Sequence, residues 1–284
     1  MEDTGRVRTS IVVYILLTFA LSSISYYLVY RHPANNGGIY ILTLMWSPGV
    51  AGLLTRFAFQ KNLSGHGWGW GATKYQFASY WIPIVYAAVV YVPLWIAGYS
   101  DFHGPAMQQF YAKIPAGRMS ENAAVVVYVV ILATLGVVGS CISALGEELG
   151  WRGFLVPQLA KVTSFGRVSL ISGIVWALWH YPIMLMGLYK GENPLWYSMA
   201  CFTVMVLGMS FLFAWLRLKS GSVWTGMLLH ASHNLFIQGI YDPFTRHARL
   251  TNYATGEFGF GLALVAIVLA VIFYGKRGEL PQAS

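Results

Sequence analysis

Apolar positions along the chain gather into long runs, and the short connections between them hold most of the lysines and arginines. Crossing a hydrocarbon core of about 30 Å takes about 20 residues at about 1.5 Å each. Eight runs meet that length, at roughly 10–30, 38–56, 77–98, 123–145, 168–189, 195–216, 221–241 and 258–275. All are expected to be helices, because lipid tolerates no open sheet edge. The first follows Arg6 and Arg8, is too long for a signal-peptide core and lacks a clear small-residue cleavage site, so it is expected to remain as an anchor. The pattern predicts an all-α polytopic membrane protein, a bundle of about eight transmembrane helices forming a single integral membrane domain over residues 1–284. No soluble segment long enough to fold alone and no internal repeat are apparent.

Composition strengthens this picture. Hydrophobic residues make up 57% of the 284, mean hydropathy is +0.57, and 10% are charged, against about a quarter in a typical soluble domain. The 11 Trp and 18 Tyr suit a chain with two membrane interfaces, where amphipathic rings collect. A formal charge of +8 would elsewhere suggest nucleic acid. Here the basic residues sit in short loops, where they set topology and attract anionic lipid, so nucleic acid is excluded and membrane lipids are expected partners. Twelve Lys and Arg (6, 8, 56, 61, 74, 152, 161, 167, 217, 219, 276 and 277) fall on one side, against six (31, 113, 118, 190, 246 and 249) on the other. That bias predicts both termini in the cytoplasm. Cys141 and Cys201 lie in apolar segments without metal-ligand spacing.

Three polar groups interrupt the apolar pattern. The stretch ALGEELGWRGFL, residues 144–155, sets Glu147, Glu148 and Arg152 at the end of the fourth run, and the apolar run resumes to about Leu159. A span with that extension must tilt, bend near Gly146 or Gly150, or run along the inner surface. On a helix Glu148 and Arg152 are four apart and can pair, while Glu147 projects about 100° away and has Trp151 at i+4. An unpaired buried carboxylate costs several kcal/mol, so Glu147 is either solvated or kept for chemistry. Taken alone, the group also fits a polar cap at the interface.

WALWHYP in the fifth run places His180 one turn after Trp176, and LLHASHN in the seventh places His230 and Asn234 on one face beside His233. Such groups in hydrocarbon point to a bundle interior or a wet cavity. Glu147, His180 and His230 lie 14, 13 and 11 positions from Lys161, Arg167 and Lys219. Along straight helices that is about 17–21 Å, so the three could meet at one level in the cytoplasmic half. Elsewhere, GHGWGWG at 65–71 reads as an interfacial loop anchored by Trp68 and Trp70, with a role as a gate to the chamber left open. WSPGVAG at 46–52 reads as a kinked, closely packed helix, and HGPAMQQFYAKIP at 103–115 as an outer loop with a short helix.

Glu147-Glu148-x-x-x-Arg152, then Trp176-x-x-x-His180, then His230-x-x-x-Asn234, resembles the type II CAAX prenyl endopeptidase and bacteriocin-processing (CPBP, or Abi) intramembrane protease family over about residues 120–240. The family often has Phe where this chain has Trp176. The resemblance implies a cytoplasm-facing intramembrane chamber in which Glu147 and His180 activate a water and His230 with Asn234 stabilise the oxyanion. The chemistry is coherent, since amide hydrolysis needs a base and donors where negative charge develops. Glu148 and Arg152 are the expected structural pair, with Tyr181 and His233 as further supporting candidates. No cofactor is expected, but zinc on Glu147, His180 and His230 stays open, since ligands on three helices offer no local spacing test. The implied substrate is a peptide or lipidated protein, with a prenylated carboxyl-terminal CAAX-type segment one option, and the implied location a prokaryotic plasma membrane. The alternatives are a non-proteolytic scaffold or immunity protein that keeps the polar cluster, and a proton-linked transporter. Against the last, no pair of interrupted helices recurs in matching halves.

Overall fold

The computed structural model describes residues 3–32, 38–102, 104–115, 119–246 and 248–281. His103 and Arg118 lie outside the described residues. Among the described residues the chain is helical, with no strand. In order, the helices are α1 (Thr4–Arg31), α2 (Ile39–Gln60), α3 (Thr73–Ile96), the short α4 (Pro105–Tyr111), and a continuous rod α5 (Glu121–Ala160). These are followed by α6 (Phe165–Leu185), α7 (Leu195–Ser220), α8 (Trp224–His233), the short α9 (Arg249–Ala254) and α10 (Phe260–Gly275). Seven of the described helices are long and apolar enough to cross a membrane, and the chain is a polytopic membrane bundle.

The expected seventh span is the exception. Its regular part, α8, is only 10 residues long and continues as a π-helical segment, Asn234–Tyr241. His230, His233, Asn234 and Gln238 make this rod more polar than the other expected spans, and its turn widens from Asn234 onward. It survives because its buried face, including Leu229, Phe236 and Ile237, packs inside the bundle.

The α5 rod has 40 residues, about 60 Å at 1.5 Å each and twice the thickness of a hydrocarbon core. It contains two π-helical segments, Leu132–Gly136 and Leu149–Leu155. The second begins one residue after Glu148 and contains Gly150, so the interruption expected near Gly146 or Gly150 is a widened turn. The helical continuation expected to about Leu159 reaches Ala160.

WSPGVAG lies within α2, with Pro48 inside the helix, and brings its backbone against α5. A Cβ at Gly49 would stand 2.4 Å from the carbonyl oxygen of Gly146, and one at Gly150 2.4 Å from that of Pro48. Neither contact has room for any side chain, which is how small residues let membrane helices approach. Trp46 Nε1 donates to the Ile142 carbonyl at 3.1 Å and fixes the same pair.

The connections sort onto two faces. On one, Val223 N donates to the Gly67 carbonyl and Trp224 Nε1 to that of Trp68. There too Trp215 Nε1 donates to the Lys276 carbonyl and an Arg6 nitrogen to that of Phe59. The 65–71 stretch belongs here, with a single 3-10 turn at Ser64–His66 and Trp68 and Trp70 exposed. On the other face Gly104 N donates to the Phe244 carbonyl, Arg246 N to that of Asp101 and Asn193 Nδ2 to that of Asn252.

Candidate active site

The three polar groups that interrupt the sequence pattern converge. Glu147 from α5, Trp176 and His180 from α6, and His230 from α8 with Asn234 one turn beyond line one cavity of about 580 Å³. Its remaining wall is largely apolar, with Ile183, Phe202, Met205, Met209 and Phe213 among the contributors.

Glu147 and Glu148 are both buried, at 2% and 0% exposure. Helical geometry sends them to different partners. Arg152 Nη1 donates to Glu148 Oε1 at 2.8 Å, the pairing expected from the i, i+4 spacing. The same oxygen accepts from His230 Nδ1 at 3.0 Å. The Arg152 guanidinium lies 3.9 Å from the Phe213 ring centroid and 4.3 Å from that of Trp176, so its face is covered by aromatic rings. A buried ion pair is sustained only when further hydrogen bonds and good geometry offset desolvation. The added imidazole and the two rings supply that here.

Glu147 has no cation beside it on the helix. Trp176 Nε1 donates to its Oε2 at 2.9 Å and Trp151 Nε1 to the same oxygen at 3.3 Å. The neutral Trp151 side chain at i+4 is therefore a donor to the carboxylate. Trp176 is more than an aromatic wall, since a Phe in its place would offer no hydrogen bond to the carboxylate. With both indoles on one oxygen, Oε1 is the atom left for the chamber.

His180 Nδ1 bonds the Trp176 carbonyl at 2.9 Å. A carbonyl only accepts, so Nδ1 carries the hydrogen and Nε2 of the neutral ring is the lone-pair nitrogen. The ring is walled by Trp179, Phe202 and Tyr189, with centroids 4.8, 4.9 and 5.7 Å away. His230 is oriented in the same way by a different acceptor, the Glu148 carboxylate, and its Nε2 is likewise the free ring nitrogen.

The supporting candidates divide. Tyr181 pairs its hydroxyl with Thr203 Oγ1 on α7 at 2.8 Å and does not line the cavity. His233 does line it and belongs to a second polar cluster invisible in the motifs. Its Nε2 donates to Glu257 Oε1 at 2.8 Å and its Nδ1 pairs with the Tyr86 hydroxyl. Glu257 Oε2 accepts from Gln238 Nε2 at 2.8 Å and from the Tyr189 hydroxyl. Gln238 extends the His230–Asn234 stripe by one more turn, a signal present in the sequence. Nothing local marks Tyr189 or Glu257, which reach the site from loops. Burial alone pushes the Glu257 carboxyl up, but the hydrogen bond from His233, followed by those from Tyr189 and Gln238, outweighs it and holds the group below its usual range. Among the described residues no set of three His, Cys, Asp or Glu side chains is arranged to hold a metal ion.

Residues 129–236 match the model of the family described as type II CAAX prenyl endopeptidase Rce1-like. That stretch contains all seven motif residues, Glu147, Glu148, Arg152, Trp176, His180, His230 and Asn234. The protein named CAAX prenyl protease 2 from Methanococcus maripaludis is 32% identical over 99 residues, which cover 33% of this chain and 36% of that protein. The family found by comparison is the one the three motifs resemble. The similarity spans about a third of this curated relative's length, and Glu257 and Gln238 lie beyond the matched residues.

Proposed function

We propose that this chain, with its match to the type II CAAX prenyl endopeptidase family, is an intramembrane endopeptidase that hydrolyses a peptide bond near the cytoplasmic membrane surface. The observation that carries the reading is the convergence of Glu147, His180, His230 and Asn234 on one largely apolar cavity. Glu147 Oε1 and His180 Nε2 hold a water between them. Glu147 takes its proton as the water attacks the carbonyl carbon, and the carboxyl returns it to the leaving amine. The Asn234 amide donates to the developing oxyanion, and so does His230 Nε2 when the ring is doubly protonated, a charge the Glu148 carboxylate compensates. The low-dielectric wall strengthens each of these interactions. Glu148 and Arg152 hold His230 and Trp176 in place rather than reacting.

The substrate is a peptide or lipidated protein whose carboxyl-terminal segment enters the apolar cavity, with a prenylated CAAX-type end the leading candidate. The face rich in Lys and Arg is the cytoplasmic one, with both termini on it and the plasma membrane of a prokaryote as the location. That several basic loops gather on one face favours this orientation. The reaction needs no metal in this reading, so exhaustive chelation leaves the rate unchanged.

The test is cleavage of a quenched fluorescent CAAX-type peptide, prenylated and not, by purified protein. Wild type cleaves, Glu147→Ala and His180→Ala do not, and Asn234→Ala loses about 100-fold to 1000-fold in kcat. Equal cleavage by Glu147→Ala would remove it as the base. Cleavage of no peptide, prenylated or not, would favour a scaffold.

A further inference from the structure

The cavity has a second polar pole that the proposed reaction does not use. Glu257 stands in the loop between α9 and α10, is 6% exposed, and lines the chamber. Its carboxylate joins Tyr189, beyond α6, to two points on the rod that starts with α8, His233 at the end of that helix and Gln238 in the π-helical segment. The loop carrying it is itself fastened. Gly256, at φ +71°, donates its N–H to the Tyr91 hydroxyl at 2.8 Å, and that hydroxyl donates to Asp242 Oδ1 at 2.8 Å.

Two of the tethered residues adjoin the reacting groups. The Tyr189 ring lies 5.7 Å from the His180 ring at 32°, while its hydroxyl is held by Glu257. Phe258, next to Glu257, packs on both Tyr189 and Phe202 at 5.0 and 5.9 Å, so one loop supports two walls of the His180 cage. His233 immediately precedes Asn234. It is locked from both ring nitrogens: Nε2–H donates to Glu257, and Nδ1 accepts from the Tyr86 hydroxyl. Every partner of Glu257 is a neutral donor or a tautomer that donates, and both oxygens are occupied. The carboxylate is thus a fastening rather than a binding site.

We propose that Glu257 is a positioning residue for the reaction, holding the His180 imidazole through Tyr189 and the Asn234 carboxamide through His233. This rests on the peptidase reading for its kinetic consequence but not for its structural one. Loosening the carboxylate lets the Tyr189 ring and the start of the π-helical segment shift, and small misplacements of catalytic groups cost far more in rate than in affinity.

Two readouts test it. In the peptide assay, Glu257→Ala lowers kcat by about 10-fold to 100-fold with KM unchanged. Tyr189→Phe, which keeps the ring and removes only the tether, lowers kcat in the same direction by less. Glu257→Gln, similar in shape but with a donor where an acceptor is needed, falls between Glu257→Ala and wild type. Independently of any substrate, diethyl pyrocarbonate modifies His180 severalfold faster in Glu257→Ala and Tyr189→Phe than in wild type. Trypsin cleavage after Arg167 and Lys190 releases His180 as the sole histidine of its peptide, so mass spectrometry reads that site alone. If Glu257→Ala fails to fold, Tyr189→Phe decides. Unchanged kcat and unchanged His180 labelling in a folded variant overturn the proposal. Absent cleavage by wild type overturns the peptidase reading alone, and the labelling still decides the positioning role.

Discussion

Around Glu147 the donors are two indole N–H groups on one oxygen, whereas around Glu257 an imidazole, a phenol and a carboxamide occupy both oxygens. The first carboxylate is held by two donors on Oε2, and neither of them touches Oε1. The second is saturated. Burial is nearly the same at both, 2% and 6%, so exposure does not separate the proposed base from the carboxylate proposed to position it. The separation lies in how many lone-pair sites the surroundings leave open. Glu148, with Arg152 and His230 on a single oxygen, is the intermediate case: charge-compensated and tied to a neighbour of the reaction.

The largest expected effect comes from removing that compensation. Arg152→Met keeps an unbranched apolar stem but leaves Glu148 without its cation, and breaking a buried pair in this way costs about 3–5 kcal/mol. Thermal unfolding in detergent measures it, and a variant as stable as wild type would mean that the pair is not what steadies this pole. The next effect sharpens the contrast at Glu147. Trp176→Phe keeps an aromatic face on Arg152 and deletes one donor to the carboxylate. Hydrogen bonds to charged groups contribute about 1.5–3 kcal/mol, so kcat falls about 10-fold to 100-fold. Full activity in this variant would show that Trp151 alone suffices to orient the proposed base.

A third measurement separates acid sensitivity at the basic face from that in the chamber. His66 is buried, stacked on Trp68 at 5.6 Å, and lowered to about 4 by burial and by the Arg56 and Arg217 guanidiniums. The unfolded chain takes up this proton near pH 6.5 and the folded one only near 4, so stability is whole above that window and declines as pH falls through it. Glu257, held below its usual range, adds a further loss only in stronger acid. Melting temperatures from pH 7 to 4 should therefore fall more steeply for wild type than for His66→Phe. Equal slopes would assign the acid response elsewhere.

The residue pattern makes the proposed catalytic groups easier to find than the side chains that hold them. His180, His230 and Asn234 stand out because a polar group in hydrocarbon needs a reason, and Glu148 with Arg152 because their spacing brings them onto one helix face. Trp151 and Trp176 as donors to Glu147 are hidden, since an indole in an apolar run looks like packing until its N–H has a target. Glu257 and Tyr189 are hidden more deeply. They reach the chamber from loops distant in sequence, and no helical period links them to the motifs. The π-helical turns are invisible for a related reason: hydropathy registers which residues are apolar, not how many occupy each turn. That is why the α8 rod, expected as an ordinary span, proves to be a short helix joined to a widened one.

The backbone contact of Gly49 with Gly146 and of Gly150 with Pro48 brackets the two glutamates from below and above. Adding even a methyl group there would slide α5 along α2 and carry Glu147 out of register with His180. An unbiased inactivation screen of this chain would therefore score heavily at positions that bear no reactive atom and touch no substrate. Its hottest sites would trace the seam between two helices as clearly as the chamber itself.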